Sequence, residues 1–355
     1  MLLPQPTFAS LFSGAGGLDL GFTEAGARGL WAVDFDPDAV STYRRHIGDH
    51  IECADVSAIP MDSVERPDIL IGGPPCQGFS VAGHMRPDDP RSRHVWSFLN
   101  AVRRLKPDAF VMENVKNLAV NKRWAMVLQR LVQQAENAGY TTRVDVLNAR
   151  EYGVPQARER MFLVGVREGT PHRPAPIVGE RLTTVRDALS PLPPVGKPGN
   201  DSLCTARITP ALRPILRRSP FAGMLFNGKG RPLDLDAPAG TLPASMGGNR
   251  TPIVDQDQLD GLADTCWAVE YHRHLQAGGA PVTRVPTRLR RITVQEAAAI
   301  QTFPIDWRFA GRQSSQFRQI GNAVPPLLAR AVAKQVLMDL ARVRVPARTT
   351  LASAA

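Results

Sequence analysis

A chain of 355 residues with 43% hydrophobic and 21% charged side chains can bury one large core and a smaller second one, which excludes a disordered polymer. No stretch approaches the roughly 18 apolar residues of a membrane span, and the amino terminus lacks a secretory signal pattern, so a cytoplasmic location without a membrane partner is expected. The net charge of +10 suits a polyanionic partner, and the four cysteines, at 53, 76, 204 and 266, have neither zinc-site pairing nor disulfide-scaffold density, so no metal is expected.

Residues 7 to 12 read as a first strand, followed by Ser13-Gly14-Ala15-Gly16-Gly17 and a helix to about Ala25, stopped by Gly26. The glycines let backbone approach a ligand at the amino end of that helix, or simply make a tight strand-to-helix connection. Their spacing is not the G-x-G-x-x-G of dinucleotide sites, so nicotinamide and flavin are not expected. Asp34 ends a second strand at 31 to 35, where an acidic side chain can accept both ribose hydroxyls. Together these describe a nucleoside-bearing ligand. A short third strand lies near Ile51, and the loop acid Asp55 follows it.

The apolar run 69 to 71 reads as a short buried strand, and Gly72-Gly73-Pro74-Pro75 ends it in a rigid turn. Cys76 is thereby held at a strand's carboxyl end, where open α/β sheets bind ligands. It is a candidate nucleophile, with a small buried hydrophobe as the other reading that these residues alone leave open. The polar, aperiodic stretch 78 to 93 reads as a lid with glycine hinges or as an ordinary surface loop. A helix at 95 to 105 precedes a buried strand at 109 to 112 that delivers Glu113, whose burial favours its protonated form. A helix at 124 to 137 and a strand at 142 to 147 follow. Arg158 and Arg160 then stand two apart, which places both guanidinium groups on one face of an extended segment.

From about 168 the strand-helix alternation is lost and prolines crowd 171 to 198. A second domain is placed at 168 to 285, inside a first domain made of 1 to 167 and 286 to 345, with a tail at 346 to 355. Roughly +6 of the net charge falls within 171 to 291. The loop Met246-Gly247-Gly248-Asn249-Arg250 has small residues and a terminal arginine that allow close approach to a nucleic acid, or is a plain glycine turn. A last helix runs from Leu327 to about Arg342.

Pro74-Pro75-Cys76-Gln77, then Glu113-Asn114-Val115, then Gln156-Ala157-Arg158-Glu159-Arg160 resemble, in content and order, the motifs of the DNA (cytosine-5)-methyltransferase family. The glycine turn after Phe12, the stretch Arg290-Arg291-Ile292-Thr293 with Glu296, and Gln319-Ile320-Gly321-Asn322-Ala323-Val324-Pro325 complete six motifs over about residues 7 to 340. The chain departs from the pattern at Asp34, where glutamate is usual, and at Gln295, where arginine is usual. The chain begins directly at the first strand, as in a stand-alone bacterial modification enzyme.

The resemblance implies an α/β fold, an S-adenosylmethionine-dependent methyltransferase (Rossmann-like) sheet with a second, smaller irregular target-recognition domain. S-adenosylmethionine would be held by Phe12, Gly14, Ala15, Gly16, Gly17, Asp34, Pro75, Asn322 and Ala323, with Phe35 stacking on adenine and Asp55 at its amino group. Cys76 would attack C6 of a flipped-out cytosine, Glu113 would serve N3, Arg160 would hold O2, and Arg158 would favour the thiolate or position the base. Gln77, Ser80, Thr241, Leu242, Gly247, Gly248, Asn249 and Arg250 would contact DNA, Thr241-Leu242 matching the Thr-Leu pair of the recognition region. The implied partners are double-stranded DNA and a cognate restriction endonuclease acting on the same site, with the enzyme itself a monomer. Two other readings stand beside this one. A branch of the family that modifies transfer RNA carries Cys-Phe-Thr in its second domain, whereas Cys204 is followed by Thr205 and Cys266 by Trp267. A catalytically silent DNA-binding protein would be expected to lose Cys76, Glu113, Arg158 or Arg160, and all four are present.

Overall fold

The computed structural model describes residues 5–75, 93–177 and 181–344. Its first half alternates strands and helices: β1 (Thr7–Leu11), α1 (Gly17–Glu24), β2 (Arg28–Asp34), α2 (Pro37–His46), β3 (Ile51–Cys53), β4 (Ile69–Gly72), α3 (Arg93–Leu105) and β5 (Ala109–Val115). Next come α4 (Lys116–Val120), α5 (Ala125–Asn137), β6 (Thr141–Asn148), β7 (Gln156–Ala157) and β8 (Glu159–Val166). Seven of these strands form one sheet in the order β3-β2-β1-β4-β5-β8-β6, parallel except that β8 runs antiparallel to both β5 and β6.

The central strands are apolar on both faces because helices cover both. Ile69, Leu70 and Ile71 of β4 are all fully buried, as expected of a strand inside a doubly covered parallel sheet. One face packs Phe98 of α3 and Leu131 of α5 against Leu70 and Phe110, and the other packs Phe22 of α1 against Phe8 and Ile71. Placed in the same order as the strands, the polar residues collect where strands end. β5 outruns the expected 109 to 112 and reaches Val115, so Glu113 and Asn114 lie inside the strand, opposite Phe162 and Met161 of β8. β2 starts earlier than expected, at Arg28, and stops at Asp34, leaving Phe35 just beyond it.

The remaining elements are α6 (Val185–Leu189), β9 (Pro210–Ile215), β10 (Met224–Phe226), β11 (Ala239–Gly240), β12 (Ile253–Asp255), α7 (Gln256–Leu259), α8 (Trp267–Gln276), β13 (Leu289–Arg291), α9 (Val294–Ile300), α10 (Gln313–Asn322) and α11 (Pro326–Arg344). The stretch is irregular, and among the described residues its strands pair in twos, β9 with β10, β11 with β7, and β12 with β13, with one further bridge between Pro232 and Ile253. One apolar cluster joins Val185, Leu242 and Val254 to Ile292, Ala297 and Phe317. α9 starts on a capping box between Thr293 and Glu296, and Glu296 also receives both terminal nitrogens of Arg290, at 2.7 and 2.6 Å. At Gln295 the side-chain amide donates to Asp201 Oδ1 and Ser202 Oγ, both at 3.1 Å, and accepts from Ser202 N, so a neutral group ties α9 to the 200s loop where the related pattern has a cation.

Among the described residues, no helix is long and apolar enough to cross a membrane, and no cluster of three metal-ligating side chains occurs. α11 returns to the first half and packs along α1 so closely that a Cβ on Gly21 would stand 2.4 Å from Ala329 Cβ and 2.5 Å from Arg330 N. Backbone cannot yield as a flexible side chain does, so Gly21→Ala should destabilise the fold by about 2–3 kcal/mol. The midpoint of urea unfolding measures this, and an unchanged midpoint would show that the two helices separate freely.

Candidate active site

A cavity of about 290 Å³ opens at the carboxyl ends of β1, β2, β4 and β5. This is the position the topology predisposes, since the strands' last residues and the loops after them point out of the sheet there. The turn after β1 takes unusual backbone angles to form its wall. Phe12 has φ 58°, rare for a residue with a side chain, and Gly14 follows at φ 56°. A Cβ on Gly14 would meet nothing within 4 Å, so its backbone faces open space. At Gly17, which lines the cavity, a Cβ would lie 2.4 Å from Val324 O, and at Gly16 2.1 Å from Ile47 Cδ1, so both glycines permit close packing around the turn. α1 has no side-chain cap, which leaves its amino end to whatever occupies the cavity.

Asp34 closes the turn. Its Oδ2 accepts from Gly14 N at 2.7 Å and its Oδ1 from Asp36 N at 2.9 Å. Burial pushes its pKa up, while the N–H groups of Asp36 and Gly14 pull the other way. Phe35 lines the cavity with its ring 67% exposed, an apolar surface at the mouth that nothing in the fold covers among the described residues. Ala15, Asn322 and Ala323 also line it. Asp55 stands apart from this wall: it caps a 3₁₀ turn, accepting from Ser57 N at 2.8 Å and Ser57 Oγ at 2.7 Å, and those bonds hold its carboxyl below the usual range.

The opposite end of the cavity is ionic. Glu113 is buried, with Arg160 Nε 3.1 Å from its Oε1. Burial raises the pKa of Glu113; the guanidinium groups of Arg160 and then Arg158 oppose that rise. The expected pairing of Arg158 and Arg160 on one face takes a more specific form. Both line the cavity, but Arg158 falls in the break between β7 and β8, is 1% exposed, and donates to Leu242 O at 3.3 Å and Gly321 O at 2.8 Å. Gln156 works beside it, accepting from Leu242 N at 3.0 Å and donating to Gln301 Oε1, while Gln301 donates to Ala323 O.

Asn114 is a contribution that its sequence neighbours only hinted at. Its Nδ2 donates to Pro74 O at 3.1 Å, which pins the double-proline turn to β5. A Cβ on Gly73 would meet Glu113 Oε2 at 3.1 Å, so that glycine makes room for the carboxyl. Arg318 was not foreseen either. It lines the cavity and pairs with Asp36 at 2.9 Å, a contact between α10 and the loop after β2 that no spacing in the chain announces.

Cys76, Gln77 and Ser80 lie outside the described residues; Pro75, immediately before Cys76, lines the cavity. Of the residues expected to meet DNA, Leu242 is buried, and exposed Thr241 donates to Ala157 O at 3.1 Å. Gly247 (φ 100°) and Gly248 are half-buried, and Asn249 and Arg250 are exposed. Among the described cysteines, Cys266 is buried, which pushes its thiol up to about 11 and makes it a poor nucleophile.

A family model for C-5 cytosine-specific DNA methylases matches residues 6–338. The chain belongs to that family. Its relatives include the Type II methyltransferase M1.HphI of Haemophilus parahaemolyticus, 34% identical over 93% of this chain and 86% of the relative, and M.NgoFVII of Neisseria gonorrhoeae, 35% identical over 94% and 87%. Among solved structures, S. pombe Dnmt2 methyltransferase superposes with a TM-score of 0.68 over 96% of this chain and all of that one, at 16% identity, and supports the fold. This DNA (cytosine-5)-methyltransferase therefore uses S-adenosylmethionine. The cavity fits that cofactor: an open glycine turn, a strand-end carboxylate and an uncovered aromatic ring are the partners a nucleoside with an amino-acid tail requires. Asp34→Ala should weaken S-adenosylmethionine binding at least about tenfold by calorimetry while leaving the fold intact, since it removes both the turn's anchor and an acceptor. Unchanged affinity would move the cofactor elsewhere.

Proposed function

We propose that this methyltransferase modifies C5 of one cytosine within a specific double-stranded DNA sequence, by covalent attack of Cys76 on C6 of a base turned out of the helix. The observation that carries this reading is the buried Glu113–Arg160 pair at one end of a cavity whose other end is the Gly14–Asp34 wall and whose rim is Pro75. Cytosine C5 is a weak nucleophile. Addition of the Cys76 thiolate to C6 pushes electrons toward N3, where a protonated Glu113 gives up its proton, and C5 becomes enamine-like. S-adenosylmethionine supplies the electrophilic methyl group when bound. Loss of the C5 proton to a base then expels Cys76 as thiolate, and N3 returns its proton to Glu113. Arg160, within reach of Glu113, also suits the cytosine O2, and Arg158 holds the walls in place.

The base must leave its stack to enter such a cavity, at a cost of a few kcal/mol. Residues 168 to 285 serve as the target-recognition domain against a catalytic domain of 1 to 167 and 286 to 345. Supporting this, Arg207, Arg213, Arg217, Arg218, Lys229 and Arg231 fall within 202 to 233, a stretch without one acidic residue. The exposed Asn249 and Arg250 add to that surface. The relatives are described as Type II methyltransferases, and in the proposed reading a restriction endonuclease acts on the same site and the methyltransferase works as a monomer inside the cell.

DNA carrying 5-fluorocytosine at the target tests the covalent step, because fluorine cannot leave as the proton does and Cys76 stays attached. A denaturation-resistant adduct should form only with S-adenosylmethionine present and vanish in Cys76→Ser; an adduct that persists in that variant would sink the mechanism. The pH dependence follows from Glu113. With its pKa raised, its acid form survives above the ordinary carboxylate range and is lost as pH rises, so the adduct-forming rate should decline on the alkaline side of that pKa. Glu113→Gln should slow the step about a hundredfold and abolish that decline. Rapid-quench kinetics across pH would measure both effects.

A further inference from the structure

The cavity has an acidic floor that the proposed mechanism does not use. Asp19, in the first turn of α1, is fully buried and belongs to the cavity's lining. Its Oδ2 accepts from Ser10 Oγ of β1 at 3.0 Å and its Oδ1 from Tyr43 OH of α2 at 2.9 Å. Tyr43 OH lies 3.1 Å from His50 Nε2; its single proton goes to Asp19, so it accepts from the imidazole N–H. Among the described residues no ion pair reaches this carboxyl; of the cavity's arginines, Arg160 meets Glu113, Arg318 meets Asp36, and Arg158 donates to Leu242 O and Gly321 O. β2 brings Asp34, a second acid; β4 brings apolar residues; and Arg330 of α11 pairs instead with Glu24 at the other end of α1.

Burying an anion with two hydroxyl donors, its own backbone N–H and no paired cation is costly, and an apolar side chain would fill the same space at less cost. Burial, the largest influence, pushes the pKa of Asp19 up to about 7, with Tyr43 and Ser10 opposing and Asp34 adding to the rise. The expense has a use if the missing cation arrives with a ligand. S-adenosylmethionine at neutral pH carries a sulfonium and an ammonium against one carboxylate, whereas its demethylated product lacks the sulfonium charge. Across a few ångströms of low-dielectric interior, one unit of charge separates the two ligands strongly.

We propose that Asp19 is the counter-charge of the cofactor cavity, a positioning residue that favours the cationic methyl donor over its demethylated product. The proposal rests on reading the cavity as the S-adenosylmethionine site and is independent of Cys76. It has a signed consequence. Arrival of a cation favours the ionised carboxyl, so binding below pH 7 must expel a proton from Asp19, and affinity rises as pH climbs through that region and levels off above it.

Titration calorimetry on the full chain tests this, with S-adenosylmethionine and S-adenosylhomocysteine as ligands from pH 6 to 8, in buffers of different ionisation enthalpy. For the wild type, S-adenosylmethionine should bind about tenfold more tightly at pH 8 than at pH 6 and release a proton near pH 6.5. Asp19→Asn should cost that ligand about tenfold at pH 8 but the demethylated product less than about threefold, and should remove the proton release. Equal losses for both ligands, or unaltered proton release, would overturn the proposal. Should Asp19→Asn fail to fold, Tyr43→Phe removes one donor, raises the pKa of Asp19 and should move the S-adenosylmethionine profile to higher pH; a stationary profile would be equally fatal. Binding of both ligands left intact by Asp34→Ala would place the fault in the site reading itself, and the Asp19 proposal would fall with it.

Discussion

The guanidinium of Arg158 is the contact on which the rest of the site depends. It sits at a break between two strands, almost wholly buried, and its terminal nitrogens reach carbonyls from segments 84 and 163 residues away. A buried cation is expensive unless its hydrogen bonds are supplied, and here Leu242 O and Gly321 O accept two of them. Three pieces of chain that no local preference would assemble are thus held by one planar group with fixed donor directions. A lysine offers a point charge and cannot satisfy two divergent carbonyls in the same way.

The sheet does complementary work. Parallel strands buried on both faces demand largely apolar sequence, which gathers most polar side chains toward the carboxyl ends of the strands. Asp34, Glu113 and Asn114 occupy such positions, and the double proline begins where β4 stops. Chemistry is therefore concentrated on one edge of the molecule by the requirements of the core. The antiparallel β8 then brings Arg160 back opposite Val115, one turn of pleat from Glu113, without needing another crossover.

Much of this was legible in the chain. Short apolar runs ending in glycine or proline mark β1 and β4, and the acid, amide and arginine motifs mark the cavity's ionic end. What could not be read were relationships between distant segments. Arg158 looked like a partner of the substrate, but nothing in the sequence shows that its nitrogens meet Leu242 and Gly321. Resemblance alone assigns Asp55 to the adenine amino group, and only the structure shows that its Oδ1 accepts from Ser57 N and Oγ. Gln295 departed from the family's pattern, and only the position of Asp201 and Ser202 explains how an amide serves there. The boundaries of β5 were missed because Glu113 and Asn114 are poor strand formers that pairing with β8 overrides.

The packing of α11 on α1 has a consequence for how the protein is made. The chain leaves the ribosome amino end first, so α1 and the glycine turn emerge early, while the helix that covers them emerges after every other element described. Until then Phe22 and the face of the sheet around Ile71 lack Leu328, Ala329 and Val332. The wall of the cofactor cavity shared by Gly17 and Val324 is likewise built from segments made far apart in time. Until α10 and α11 have emerged, a nascent chain therefore holds the glycine turn without the residues that pack behind it.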